Sequence, residues 1–190
     1  MAEVTIFFRM RLMSQPDGLW EDKMFGGNKY EVGKGTELYR RSVYTLWKRT
    51  VLNPTLMTFD APDRALCTEQ RSMTCTPLQA FVTLNDKIFV EAARVFAQRV
   101  LREGGSSLDE QMNFACRTVL ARPPTAQEQK VLRGIYDDMN AHYQTDLKAA
   151  VDLLSAGETK RPENLNELQL VAWTTVANVL LNLDETVTKE

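Results

Sequence analysis

The stretch "GGSSLDEQMNFACRTVLARPPTAQEQK", Gly104 to Lys130, decides the fold. Ser107 is followed three residues later by Glu110, and Thr125 is followed three residues later by Glu128. That spacing is a capping box: the hydroxyl takes the amide of the third helical residue, and the carboxylate reaches back to the amide of the cap. Two helices are therefore expected, one from Leu108 to Ala121 and one from Ala126 to about Tyr143. Pro123-Pro124 stands between them, and so short a link makes neighbouring helices antiparallel.

Working outward, the same grammar repeats. Gly104-Gly105 stops a preceding helix that Asp86 caps, in which Ile88, Phe89, Ala92, Val95, Phe96, Arg99 and Val100 share a face. Thr76 and Pro77 open another at "TPLQAFVTLND", since proline at the first helical position loses no hydrogen bond. Downstream, a short helix spans Asp146 to Leu154. A last one starts near Leu165, with Leu168, Val171, Ala172, Thr175, Val176, Val179, Leu180 and Leu183 as its inward stripe. An all-α, antiparallel bundle of about six helices is the natural way to bury such stripes.

The N-terminal part is different. Residues 1–35 hold Pro16, Asp17-Gly18, Gly26-Gly27, Gly33 and Gly35 without a sustained period, and read as an irregular leader. Residues 36–190 read as one helical domain. In "YRRSVYTLWKRT", Tyr39 to Thr50, apolar pairs recur every four residues against a basic face, which predicts a helix ended by Asn53-Pro54. "TFDAPDRALCTEQRSMTC", Thr58 to Cys75, then reads as a long ordered loop. Loops beyond about 12–15 residues in compact domains are usually functional or disordered, which makes this the place to look for a site.

Composition narrows the chemistry. The 190 residues suit one domain with a substantial core, 44% hydrophobic and 25% charged as in ordinary globular proteins. Lys and Arg total 23 against 25 Asp and Glu, so no global field draws the chain onto nucleic acid or an anionic membrane. No run approaches the roughly 18 apolar residues of a spanning helix, so membrane insertion is not expected. Val4 to Phe8 is apolar but follows Glu3 and is broken by Arg9 and Arg11, which is not the pattern of an export signal.

Three cysteines and a single histidine, His142, offer no CxxC, no haem-attachment motif and no zinc set, so no metal or cofactor is expected. Cys67 and Cys75 have seven residues between them in the loop, and a disulfide is open to them in an oxidising compartment. Cys116, among apolar residues, is expected to be a buried small hydrophobe. "GGNKYEVGKG" lacks the spacing of a phosphate-binding loop.

Two groups of residues carry a functional reading. Asp60 and Asp63, with Arg64 and Arg71 nearby, are the carboxylates best placed for acid/base work or cation binding. The plainer alternative, that they cap turns and pair with arginine, is favoured because Asp commonly bonds local backbone. Arg40, Arg41, Lys48 and Arg49, with Tyr44 between them, form a basic face suited to a sulfate, phosphate or carboxylate, or to a sugar stacked on Tyr44. A solvated basic face is again the default. No catalytic residue is assigned.

Taken in order, "GLWE", "LYRRSVYTLWKRT", "TFDAPDR", "TPLQAFVTLND", "FVEAARVFAQRVL", "ARPPTAQE" and "LLNLDETVTKE" resemble the C-terminal part of the planctomycete-specific PSD-one family, domain of unknown function 1553. The resemblance covers roughly residues 16–190. It implies a fragment of a larger exported protein, periplasmic or extracellular, with companion domains that include a cytochrome c-like one and with polysaccharide as a conceivable ligand. It supplies no catalytic residues. Arg40, Arg41, Trp47, Asp60, Asp63, Arg64, Arg71, Thr76, Pro77, Gln79, Asn85 and Asp86 fall inside its motifs. The expected role is structural or binding, with a hydrolase acting on extracellular polymer through Asp60 and Asp63 beside Arg41 or Arg71 as the alternative.

Overall fold

A computed structural model of the chain describes Tyr39, Ser42–Tyr44, Trp47, residues 51–160 and residues 164–187. The irregular leader expected over residues 1–35 lies outside the described residues, as does most of the basic helix expected over 38–50. Regular structure among the described residues is helical, apart from a bridge position at Val51. The helices are α1 (Pro54–Thr58), α2 (Pro77–Asn85), α3 (Lys87–Glu103), α4 (Leu108–Leu120), α5 (Ala126–Thr145), α6 (Leu147–Leu154), α7 (Glu167–Leu181) and α8 (Asp184–Val187). The all-α class read from the sequence is the class observed.

The chain forms two compact units, Met1–Gln79 and Ala80–Glu190. In the second, α7 is the central element and packs against α3 and α5, with α4 and α6 closing around it. Leu170 to Val176, apart from Thr175, and then Ala177, Leu180 and Leu181 are buried, so α7 is enclosed on nearly every side rather than along one stripe. Trp173, fully buried, lies against Tyr136 at a ring separation of 5.7 Å, and its indole N–H donates to Gln111 Oε1 at 2.9 Å. A ring of that size contributes a large apolar area, and the hydrogen bond offsets the cost of burying its polar edge.

The caps sit where the spacing places them. Ser107 with Glu110 and Thr125 with Glu128 are complete capping boxes, and Asp86 accepts the amide of Ile88 at 2.9 Å. Glu110 is held below the ordinary carboxylate range by the amide and hydroxyl of Ser107 and the amide of Ser106. Two short helices are additional, α1 and α8; Asn53-Pro54 starts α1, because the Asn53 side chain accepts the amides of Thr55 and Leu56.

The buried face of α3 is rotated from the apolar stripe read in the sequence. Val90, Ala93, Phe96, Ala97 and Val100 are buried, whereas Val95 is exposed. The reason is polar. Glu91 and Arg94, also buried, hold the loop between α6 and α7: Glu91 accepts the amides of Glu158 and Thr159 and the Thr159 hydroxyl, and Arg94 donates to the carbonyls of Ala156 and Thr159. Gly157, at φ 90°, passes so close that a Cβ there would collide with the Glu91 carboxylate.

Candidate functional site

The long loop is organised around Asp60. At the end of α1 the chain turns through Asp60 at φ 56°, a left-handed conformation that aspartate tolerates better than most residues. Its Oδ2 accepts the Thr74 amide at 2.9 Å, the Thr74 hydroxyl at 2.6 Å and the Gln79 side-chain amide at 3.5 Å. Arg71 binds beside it but through backbone: Nε donates to the Asp60 carbonyl at 3.1 Å, and the guanidinium also bonds the Phe59 carbonyl. The Thr74 hydroxyl and then its amide, with lesser help from Arg71 and Gln79, hold the Asp60 carboxyl below its ordinary value, against the opposing effect of burial. A carboxylate so engaged stays ionised and is a poor general acid at neutral pH.

Asp63 does not join it. Its Oδ1 accepts the Ala65 amide at 2.9 Å, an Asx turn within the loop. Arg64, at φ 61°, lays its guanidinium over the Trp47 ring at 3.9 Å from the centroid, a cation–π contact. Tyr44 is exposed in a 3-10 turn. Arg40 and Arg41 lie outside the described residues, so their meeting with Asp63 or with Tyr44 is not part of the described geometry. Asp60 and Arg71 are brought together, while Asp63 bonds within its own turn and Arg64 stacks on Trp47.

Gln79 completes the node. Its amide N–H2 also donates to the Thr58 carbonyl at 2.9 Å, while its side-chain oxygen accepts the Thr76 amide at 3.1 Å. Burying Gln79 has a consequence for the helix that carries it. On α2 the residues that go inside are polar, Gln79 at 6% exposure and Thr83 at 5%, the latter bonded to the Ala80 carbonyl at 2.9 Å and to Asn182. The large apolar residues Leu78, Phe81 and Leu84 are left outside, at 58%, 64% and 39% exposure. With spacings of three they form one stripe, and the nine residues "PLQAFVTLN" carry no charge. An inside-out helix of this kind is the strongest interaction feature among the described residues, since apolar surface that a fold leaves exposed marks contact sites.

Other sequence candidates are placed plainly. Cys67 and Cys75 are exposed free thiols, and Cys116 is buried with its thiol pushed up chiefly by burial. His142 is exposed near the end of α5, edge-on to Tyr143. Among the described residues no group of three His, Cys, Asp or Glu side chains is placed to hold a metal ion, and no helix is long and apolar enough to cross a membrane.

The roles of Thr74 and Gln79 escape sequence reading because they act on a carboxylate far along the chain. The stripe of α2 escapes it because apolar periodicity normally points inward.

Comparison with protein families gives a match over residues 9–136 to PSD1, protein of unknown function (DUF1553). Comparison with curated proteins and with solved structures gives no match.

Proposed function

The chain belongs to the DUF1553 family, and we propose that it serves there as a non-catalytic helical packing module. In this reading it belongs to a larger exported protein and docks a companion domain, cytochrome c-like by family resemblance, against the exposed stripe of α2. The observation that carries the reading is the inversion of α2, with Leu78, Phe81 and Leu84 outside and Gln79 and Thr83 inside. The lack of charge along α2 suits an apolar partner surface, because the centres of interfaces are depleted in charged residues. Three anchors are far fewer than the roughly 20–30 residues a side of a standard free-standing interface. Such a contact suits a partner tethered in the same polypeptide, where effective concentration makes up for a small area.

A hydrolase built on Asp60 and Asp63 draws no comparable support. One carboxylate is committed to Thr74 and Gln79, and the other to its own turn. An anion- or glycan-binding role for Arg40, Arg41 and Tyr44 has Tyr44 alone as a described residue.

The test is association: the chain is titrated with the isolated cytochrome c-like domain and followed by calorimetry. Saturable binding is expected, with no release of reducing sugar from extracellular polysaccharides by the chain alone. Polymer hydrolysis by the chain, or an absence of binding at any concentration, overturns the reading.

A further inference from the structure

Cys67 and Cys75 are exposed free thiols on the long loop of the first unit, whereas Cys116 is buried. Every residue from Pro62 to Cys75 is exposed. No core packing therefore fixes the backbone between the two thiols or shields either from a small oxidant in solution.

What orders the loop is its neck. Thr74 gives its amide and hydroxyl to Asp60 Oδ2, and Arg71 bonds the Asp60 and Phe59 carbonyls. Cys75 is thus one residue beyond a held point, and Cys67 is four residues before another. The chain also reverses on the way, with Asp60 and Arg64 in left-handed conformations and a bend at residues 69–70. The entropy lost on closing a loop grows with the length of free chain. A segment already held at Arg71 and Thr74 has less of it to lose when the flanking cysteines meet.

We propose that Cys67 and Cys75 are a redox-active pair, which a small-molecule disulfide oxidises to a bond within the loop. The thiolate of one cysteine attacks the S–S bond of the oxidant, forming a mixed disulfide and releasing one thiol. The second thiolate then attacks the protein sulfur of that mixed disulfide and displaces the other thiol. Two electrons and two protons leave the pair and reduce the oxidant to two thiols. Bond formation brings the two Cα atoms to within about 7 Å, an adjustment that the exposed backbone of residues 62–75 permits. The ring so closed, residues 67–75, contains Arg71 and Thr74, the two residues that hold Asp60. Oxidation thereby fastens covalently a segment that the neck otherwise holds by hydrogen bonds alone.

The experiment equilibrates the full chain with reduced and oxidised glutathione, quenches it in acid, and reads the thiols by alkylation and mass spectrometry. The expected product is a monomer lighter by two hydrogens, with Cys67 and Cys75 joined across the tryptic cut at Arg71 and Cys116 alkylated only after denaturation. The glutathione ratio at half-oxidation is expected to give the pair an effective concentration of about 1 mM or more, as for short flexible links. Cys75→Ser, at an exposed position, is expected to stop at a glutathione adduct on Cys67. Asp60→Gly, which opens the neck, is expected to lower the effective concentration by about fivefold, the lower end of usual couplings between linked events. Glutathione adducts on both cysteines of the parent chain, disulfide-linked dimers, a bond to Cys116, or an effective concentration left unchanged or raised by Asp60→Gly overturns the proposal.

Discussion

The carboxylate of Asp60 and the backbone and hydroxyl of Thr74 meet across fourteen residues, at 2.9 and 2.6 Å, and so close the long loop on itself. Asp60→Gly keeps the left-handed turn, which glycine adopts freely, while deleting the carboxylate. Trypsin is then expected to cut after Arg64 and Arg71 faster than in the parent chain, with Thr74→Val intermediate because its amide bond survives. Mass spectrometry of timed digests reads this directly, and equal cleavage rates in all three would show that the pair does not hold the loop.

One substitution placed at two glycines is expected to give opposite signs. Gly134 lies inside α5 with open space where a Cβ would go, so Gly134→Ala stabilises by about 0.5–1 kcal/mol through helix propensity. Gly157 sits at φ 90° against the Glu91 carboxylate, so Gly157→Ala destabilises by about 1–3 kcal/mol from backbone strain alone, with the collision added. Urea denaturation midpoints at constant slope measure both.

Trp173 anchors the second unit. Trp173→Ala is expected to cost about 3–5 kcal/mol, and Trp173→Phe less, because the ring volume is largely kept while Gln111 loses its donor. A cost below about 1 kcal/mol for the alanine variant would place Trp173 outside the core.

Acid stability follows from Glu128. Arg122 first, and then the Thr125 amide and hydroxyl, pull its value from 4.5 down to about 2. The folded state therefore binds fewer protons than the unfolded state across that window. The contribution is complete above pH 4.5 and is lost as pH falls through about 2. Asp60 and Glu110 shift in the same direction. Glu128→Gln is expected to flatten the fall in thermal midpoint between pH 4.5 and 2. An unchanged slope contradicts the assignment.

What the sequence made legible was local. The caps at Asp86, Ser107 and Thr125 depend on residues two or three positions away, so spacing alone places α3, α4 and α5. Cys116 is buried as its apolar neighbours imply. What stayed hidden depends on distant partners. Glu91 and Arg94 turn inward because the α6–α7 loop supplies their hydrogen bonds, and that rotates the buried face of α3. Gln79 turns inward because Thr58 and Asp60 receive it, which leaves the apolar side of α2 outside. In the loop, the partners of the Asp60 carboxylate are Thr74 and Gln79, far along the chain, and Asp63 accepts an amide within its own turn.

The reading of α2 as a docking helix rests on Phe81. Phe81→Lys replaces an exposed side chain with a good helix former, so the chain itself should change in stability by no more than about 0.5 kcal/mol. The deciding measurement compares parent and Phe81→Lys chains, both verified as folded, for calorimetric binding to a cytochrome c-like domain, the companion proposed above. The account predicts that the parent binds and the variant does not. Equal binding by the two chains would contradict it.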